Sequence, residues 1–103
     1  MRNETAQISG EVRMTHETGL HARPSVKLTK LAKTFSSTIH LAVAQEGPWV
    51  DAKSIAKVMA TKAPQNTTLY FRAAGSDAVE AVRAMIALVE HDFADGNGTA
   101  SAD

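Results

Sequence analysis

Apolar residues along the chain repeat with two different periods, and each change of period marks an element. Glu11-Val12-Arg13-Met14 alternates polar and apolar, which predicts a half-buried strand over Gly10 to Thr15. After the loop Glu17-Thr18-Gly19, Leu28, Leu31, Ala32 and Phe35 fall at i, i+3, i+4 and i+7, one face of a helix that starts just after His21. Pro24 suits the first turn of that helix, where a missing N–H costs nothing. Ser36-Ser37-Thr38 ends it. Ile39 to Val43 then reads as a strand, Glu46-Gly47-Pro48 as a turn, and Trp49 to Ala52 as the returning arm of a hairpin. Ser54 is the expected N-cap of a short helix with Ile55, Val58 and Met59 on one face. Pro64-Gln65-Asn66 closes it, and Thr67 to Arg72 has strong strand propensity. The last helix starts at Gly75-Ser76-Asp77 with Ser76 as its expected cap. It carries Val79, Val82, Ile86, Val89 and Phe93 on its apolar face.

The order is strand, helix, strand, strand, helix, strand, helix, an α+β chain. Every helix has one apolar face, and an antiparallel sheet with helices packed on one side buries all of them. Residues 1–8 are polar and expected to be a loose N-terminal segment. Residues 9–93 form the domain, and residues 94–103 read as a flexible C-terminal tail.

Composition narrows the function classes. Lys plus Arg and Asp plus Glu both number 11, so the formal net charge is zero, which argues against binding nucleic acid through a basic field. The chain has no cysteine, which excludes disulfides, thiol catalysis and Cys-based zinc sites. No apolar run is long enough to cross a membrane, and the N-terminus has no apolar signal region. The expected compartment is the cytoplasm.

The chemistry concentrates in Gly19-Leu20-His21-Ala22-Arg23-Pro24. His21 falls where the helix begins. The first N–H groups of a helix have no partner one turn back and carry partial positive charge, so that end attracts anions. Arg23 can bring a guanidinium to the same anion. One nitrogen of a neutral imidazole already has a free lone pair and attacks phosphorus without an activating base. The combination suits reversible phosphoryl transfer. Taken alone, a histidine before a helix is more often a cap or surface residue, and the neighbouring Gly19, Arg23 and Pro24 narrow the choice without closing it.

Gly19 to Pro24 resembles the active-site signature of HPr, the histidine-containing phosphocarrier of the bacterial phosphoenolpyruvate-dependent phosphotransferase system. Asp51-Ala52-Lys53-Ser54-Ile55-Ala56-Lys57-Val58-Met59 resembles the family's second signature, and the spacing between the two is similar. The resemblance covers roughly residues 9 to 93. It implies an open-faced β-sandwich, a four-stranded antiparallel sheet covered on one face by three helices. It also implies that His21 carries the phosphoryl group on Nδ1, that Arg23 contacts it, and that Ser54 matches a regulatory serine served by a kinase and phosphatase. Leu20, Ile55, Ala56 and Met59 match the patch that docks on enzyme I and on IIA-type acceptors. No cofactor, metal, nucleic acid or membrane insertion is implied, and the carrier is expected to be a monomer. The chain departs from the family at Ala60-Thr61-Lys62-Ala63, where a glycine-containing segment is common, and at Gly47-Pro48-Trp49, seldom seen in sugar-system members. The destination of the phosphoryl group stays open between sugar transport, dihydroxyacetone phosphorylation and nitrogen-linked regulation.

A regulatory module of the same fold, in which phosphorylation switches a protein partner, is the competing reading; retention of both His21 and Arg23 favours the carrier. A nucleotide-binding enzyme would need a Gly-rich phosphate loop that the chain lacks. His16 is expected to be a solvated loop residue, His40 to lie on a sheet face, and His91 to sit at the negative end of the last helix. Trp49 suits either a docking hot spot or packing beside the hairpin.

Overall fold

The computed structural model describes residues 7–93. Its elements follow the predicted order: β1 (Ile8–Arg13), α1 (Ala22–Ala32), β2 (Thr38–Ala42), β3 (Val50–Asp51), α2 (Ile55–Ala60), β4 (Thr68–Ala74) and α3 (Ala78–Glu90). The four strands form one sheet in the order β1-β4-β2-β3, and every neighbouring pair is antiparallel. This is the open-faced sandwich.

Strand alternation divides the sheet into two faces. Val12, Ile39, Leu41, Leu69, Phe71 and Ala73 point to the helices and are buried. Ser9, Glu11, Arg13, Thr38, His40, Tyr70 and Arg72 stand on the other face, half-buried or exposed. On that open face the Arg72 guanidinium lies 4.1 Å from the centre of the Trp49 ring. Trp49 is therefore held by a cation–π contact beside the hairpin.

Strand limits shift by one or two residues. Ile8, placed in the loose N-terminal segment, instead opens β1, because it pairs with Ala73. Residues 1–6 and the expected tail at 94–103 lie outside the described residues.

The apolar stripe of α3 differs from the expected one. Ala78, Ala81, Val82, Met85 and Val89 are buried, whereas Val79 is 41 % exposed. The cause is close approach to β1. A Cβ on Gly10 would lie 2.7 Å from Ile86 Cδ1 and 3.1 Å from Val82 Cγ1, so α3 sits in the space that Gly10 leaves. Ala78 and Ala81 are buried with Val82 on the core side of α3, and Val79 is left facing solvent.

The cap of α3 is Asp77 rather than Ser76, and the Asp77 carboxylate does not bond its own helix. It accepts the Ser36 and Ser37 N–H groups, both at 2.9 Å, and the Ser37 hydroxyl. Ser37 is buried, so the carboxylate ties the chain just before β2 to the start of α3. Hydrogen bonds from Ser37 and Ser36 hold the Asp77 carboxyl down at about 2 against a usual 3.8.

A carboxyl with a lowered folded-state pKa stabilises the fold above its unfolded value and loses that contribution as pH falls toward its folded value. The Asp77 contribution is thus complete above about pH 4 and fades toward pH 2. Urea unfolding of wild type and Asp77→Asn should show a stability gap at pH 6 that closes as pH falls to 2. A gap that does not change with pH would contradict this role for the charge.

Candidate functional site

His21 is the N-cap residue of α1, with extended backbone at φ −84° and ψ −167°. Its side chain makes no capping bond and is exposed. Its carbonyl accepts the first helical bond, from Ser25 N at 3.0 Å. Ala22, Arg23 and Pro24 follow as the first turn. Pro24 has no N–H, and among the described residues the N–H groups of Ala22 and Arg23 have no acceptor. Two free donors therefore open onto solvent beside an exposed imidazole, at the positive end of an 11-residue helix. The Arg23 side chain is also exposed. The helix start falls where the sequence placed it.

The loop before His21 is held from both sides. Gly19 has φ +67°, and a Cβ there would lie 2.2 Å from Ala63 O, so only glycine fits. Leu20 N–H donates to the same Ala63 carbonyl at 2.8 Å. Gly19 N–H donates to His16 O at 2.9 Å, and the Ser25 hydroxyl donates to Leu20 O at 3.2 Å. The start of α1 is thereby fixed against the turn that follows α2. A cavity of about 440 Å³ lies at this junction, lined by Thr18, Leu20, His21, Met59, Lys62, Ala63 and Pro64.

The match that decides the lineage spans residues 8–91, nearly the whole described fold, and is to the family described as PTS HPr component phosphorylation site. The chain belongs to the PTS HPr family. It is 38% identical over 89 residues to the phosphocarrier protein HPr of Cupriavidus necator, a match that covers 86% of this chain and 98% of the relative. It is 37% identical over 82 residues to the phosphocarrier protein NPr of Proteus mirabilis, covering 80% and 90%. Among solved structures it is similar to an HPr from Thermoanaerobacter tengcongensis, with a TM-score of 0.77 at 32% identity over 89% of this chain and 99% of that one.

The rest of the expected HPr-type site divides between surface and core. Ile55 (39 % exposed), Met59 (36 %) and Ala56 face outward on α2. Val58, expected on the same face as Ile55 and Met59, turns inward and is fully buried. Leu20, expected in the docking patch, is only 3 % exposed and belongs to the core. Its N–H bond to Ala63 draws it under the α2 turn, leaving little more than an edge toward the cavity. Ser54 caps α2 as expected, its hydroxyl accepting Lys57 N–H at 3.3 Å.

One supporting residue was read differently in the sequence. His16 is not simply solvated. Its Nδ1 accepts the Thr18 N–H at 3.3 Å, and its ring stands edge-on to Phe93 with centroids 5.6 Å apart. Phe93 follows α3 in a left-handed turn, its N–H donating to Leu88 O at 2.8 Å. That turn brings Phe93 against the loop before His21. In the sequence Phe93 reads as the last apolar position of the α3 stripe, but α3 ends at Glu90 and Phe93 lies beyond it; its partner 77 positions earlier had no local mark.

The capping geometry of Ser54 yields a test. Ser54→Ala should cost about 1 kcal/mol in urea unfolding, while Ser54→Asp, also a strong cap, should stay within about 0.5 kcal/mol of wild type. Equal losses in the two variants would show that the capping bond is not what Ser54 supplies to stability.

Proposed function

We propose that the chain accepts a phosphoryl group from phospho-enzyme I on Nδ1 of His21 and passes it to a IIA-type acceptor protein. The observation that carries this reading is the exposed His21 ring beside the unbonded N–H groups of Ala22 and Arg23. The His21 lone pair forms the new N–P bond as the donor's N–P bond breaks, and the donor nitrogen keeps that electron pair. The proton on the far ring nitrogen stays in place. Onward transfer runs the same exchange toward the acceptor. The two free N–H groups and the Arg23 guanidinium offset the negative charge of the arriving group, in a cradle that exists before the group arrives.

Such a carrier needs little catalytic machinery of its own. Its partners bring donor and acceptor nitrogens into line, and most of the rate comes from that positioning. Docking requires an apolar surface close to the reacting atom. Ile55, Ala56 and Met59 supply it, and Met59 shares a cavity wall with His21. The carrier acts as a monomer in the cytoplasm. Among the described residues no helix is long and apolar enough to cross a membrane.

Incubation with enzyme I and ³²P-labelled phosphoenolpyruvate should give an acid-labile label on this chain. His21→Ala should abolish it. Arg23→Ala should slow labelling at least about tenfold, the scale of one charge-assisted hydrogen bond, with unfolding midpoints unchanged. Label retained in His21→Ala would overturn the assignment, and wild-type rates in Arg23→Ala would remove Arg23 from the cradle.

A further inference from the structure

Lys62 ends α2 in a conformation that its own side chain disfavours. It has φ +51°, and its N–H donates to Met59 O at 3.1 Å, just beyond the C-cap residue Thr61. Glycine is the usual residue there, because a Cβ crowds the neighbouring carbonyl in the left-handed region. This chain instead places a long cation on that strained backbone. The next residue, Ala63, accepts the Leu20 N–H, so the backbone beside Lys62 is fixed against the loop that sets His21.

The side chain is exposed, and it lines the cavity that His21 also lines. Arg23 is not part of that wall, and neither is any carboxylate. Lys62 is the one Lys or Arg side chain in the wall. Arg23 and the free N–H groups belong to the first turn of α1, whereas Lys62 comes from the end of α2. We infer that Lys62 is a second cationic contact for the phosphoryl group on His21, reaching it from the α2 side. The inference rests on the phosphocarrier reading and adds to it a residue that tunes the charge state of the phosphorylated form.

A nearby ammonium favours the doubly charged phosphoryl group over the singly protonated one. It also draws the transfer equilibrium from the donor toward this chain. Both effects shrink in high salt, because the ammonium is solvent-exposed.

The test uses the full chain phosphorylated by enzyme I, as wild type, Lys62→Gly and Lys62→Arg. In Lys62→Gly the ³¹P-monitored pKa of the phosphoryl group should rise. The equilibrium share of phosphoryl on the chain should fall by about threefold relative to enzyme I, within the range of one exposed ion pair. Lys62→Arg should restore both, and 1 M salt should erase the difference. Urea unfolding of Lys62→Gly should show stability equal to or above wild type, since glycine relieves the left-handed strain; a loss of folding is thereby excluded as the cause. If wild type is phosphorylated and Lys62→Gly matches it in ³¹P titration and in equilibrium, the role of Lys62 is overturned and the carrier reading stands. If wild type takes up no phosphoryl group from enzyme I, the carrier reading falls, and the role of Lys62 with it.

Discussion

The junction between Gly19-Leu20 and Ala63-Pro64 is the constraint on which the site depends. One carbonyl, that of Ala63, receives the Leu20 N–H at 2.8 Å and occupies the space that a Gly19 side chain would need. That contact fixes the direction in which α1 starts. It therefore fixes where the free N–H groups of the first turn point and where the His21 ring stands. The same contact brings the end of α2 beside the start of α1, so Met59 and Lys62 share a cavity wall with His21. A chemical group from the first signature and an apolar surface from the second become neighbours at this junction, which core packing of Leu20, Val58 and Ala63 backs.

The remainder of the fold holds that junction in place. The sheet gives one face to the core and leaves the other open, and the helices cover only the first. Within α2 the division is made residue by residue. Val58 enters the core and anchors the helix, which leaves Ile55 and Met59 free to remain exposed. Ties at the far end of the domain serve the same purpose. The Asp77 carboxylate fastens Ser36 and Ser37 before β2, and Lys53 Nζ donates to Phe35 O at 2.8 Å just beyond α1. His16 and Phe93 close the opposite side of the loop before His21.

Much of this was legible in the sequence because it depends on local rules. Hydrophobic period gave the order of the elements, and Gly19 and Pro24 marked the start of α1 just after His21. Ser54 was legible as a cap because its bond spans three residues. What was not legible depends on partners far away in the chain. Ser76 looked like the better cap, yet Asp77 takes the position because its carboxylate is held by residues some 40 positions earlier. Val79 fits the apolar spacing of α3, yet a glycine on β1 decides which side of the helix is buried. Leu20 matched a docking position in the family pattern, but its backbone bond to Ala63 places it in the core. Which of these positions is buried is a distinction that spacing alone does not carry.

The central claim is that a phosphoryl group on His21 is received by the free N–H groups at the start of α1. The direct measurement is NMR on ¹⁵N-labelled chain phosphorylated by enzyme I. The account predicts a phosphorus–nitrogen coupling on the Nδ1 of His21, together with downfield shifts of the Ala22 and Arg23 amide protons as they bond the new oxygens. A coupling on His16, His40 or His91, or unmoved Ala22 and Arg23 amides with His21 phosphorylated, would contradict it.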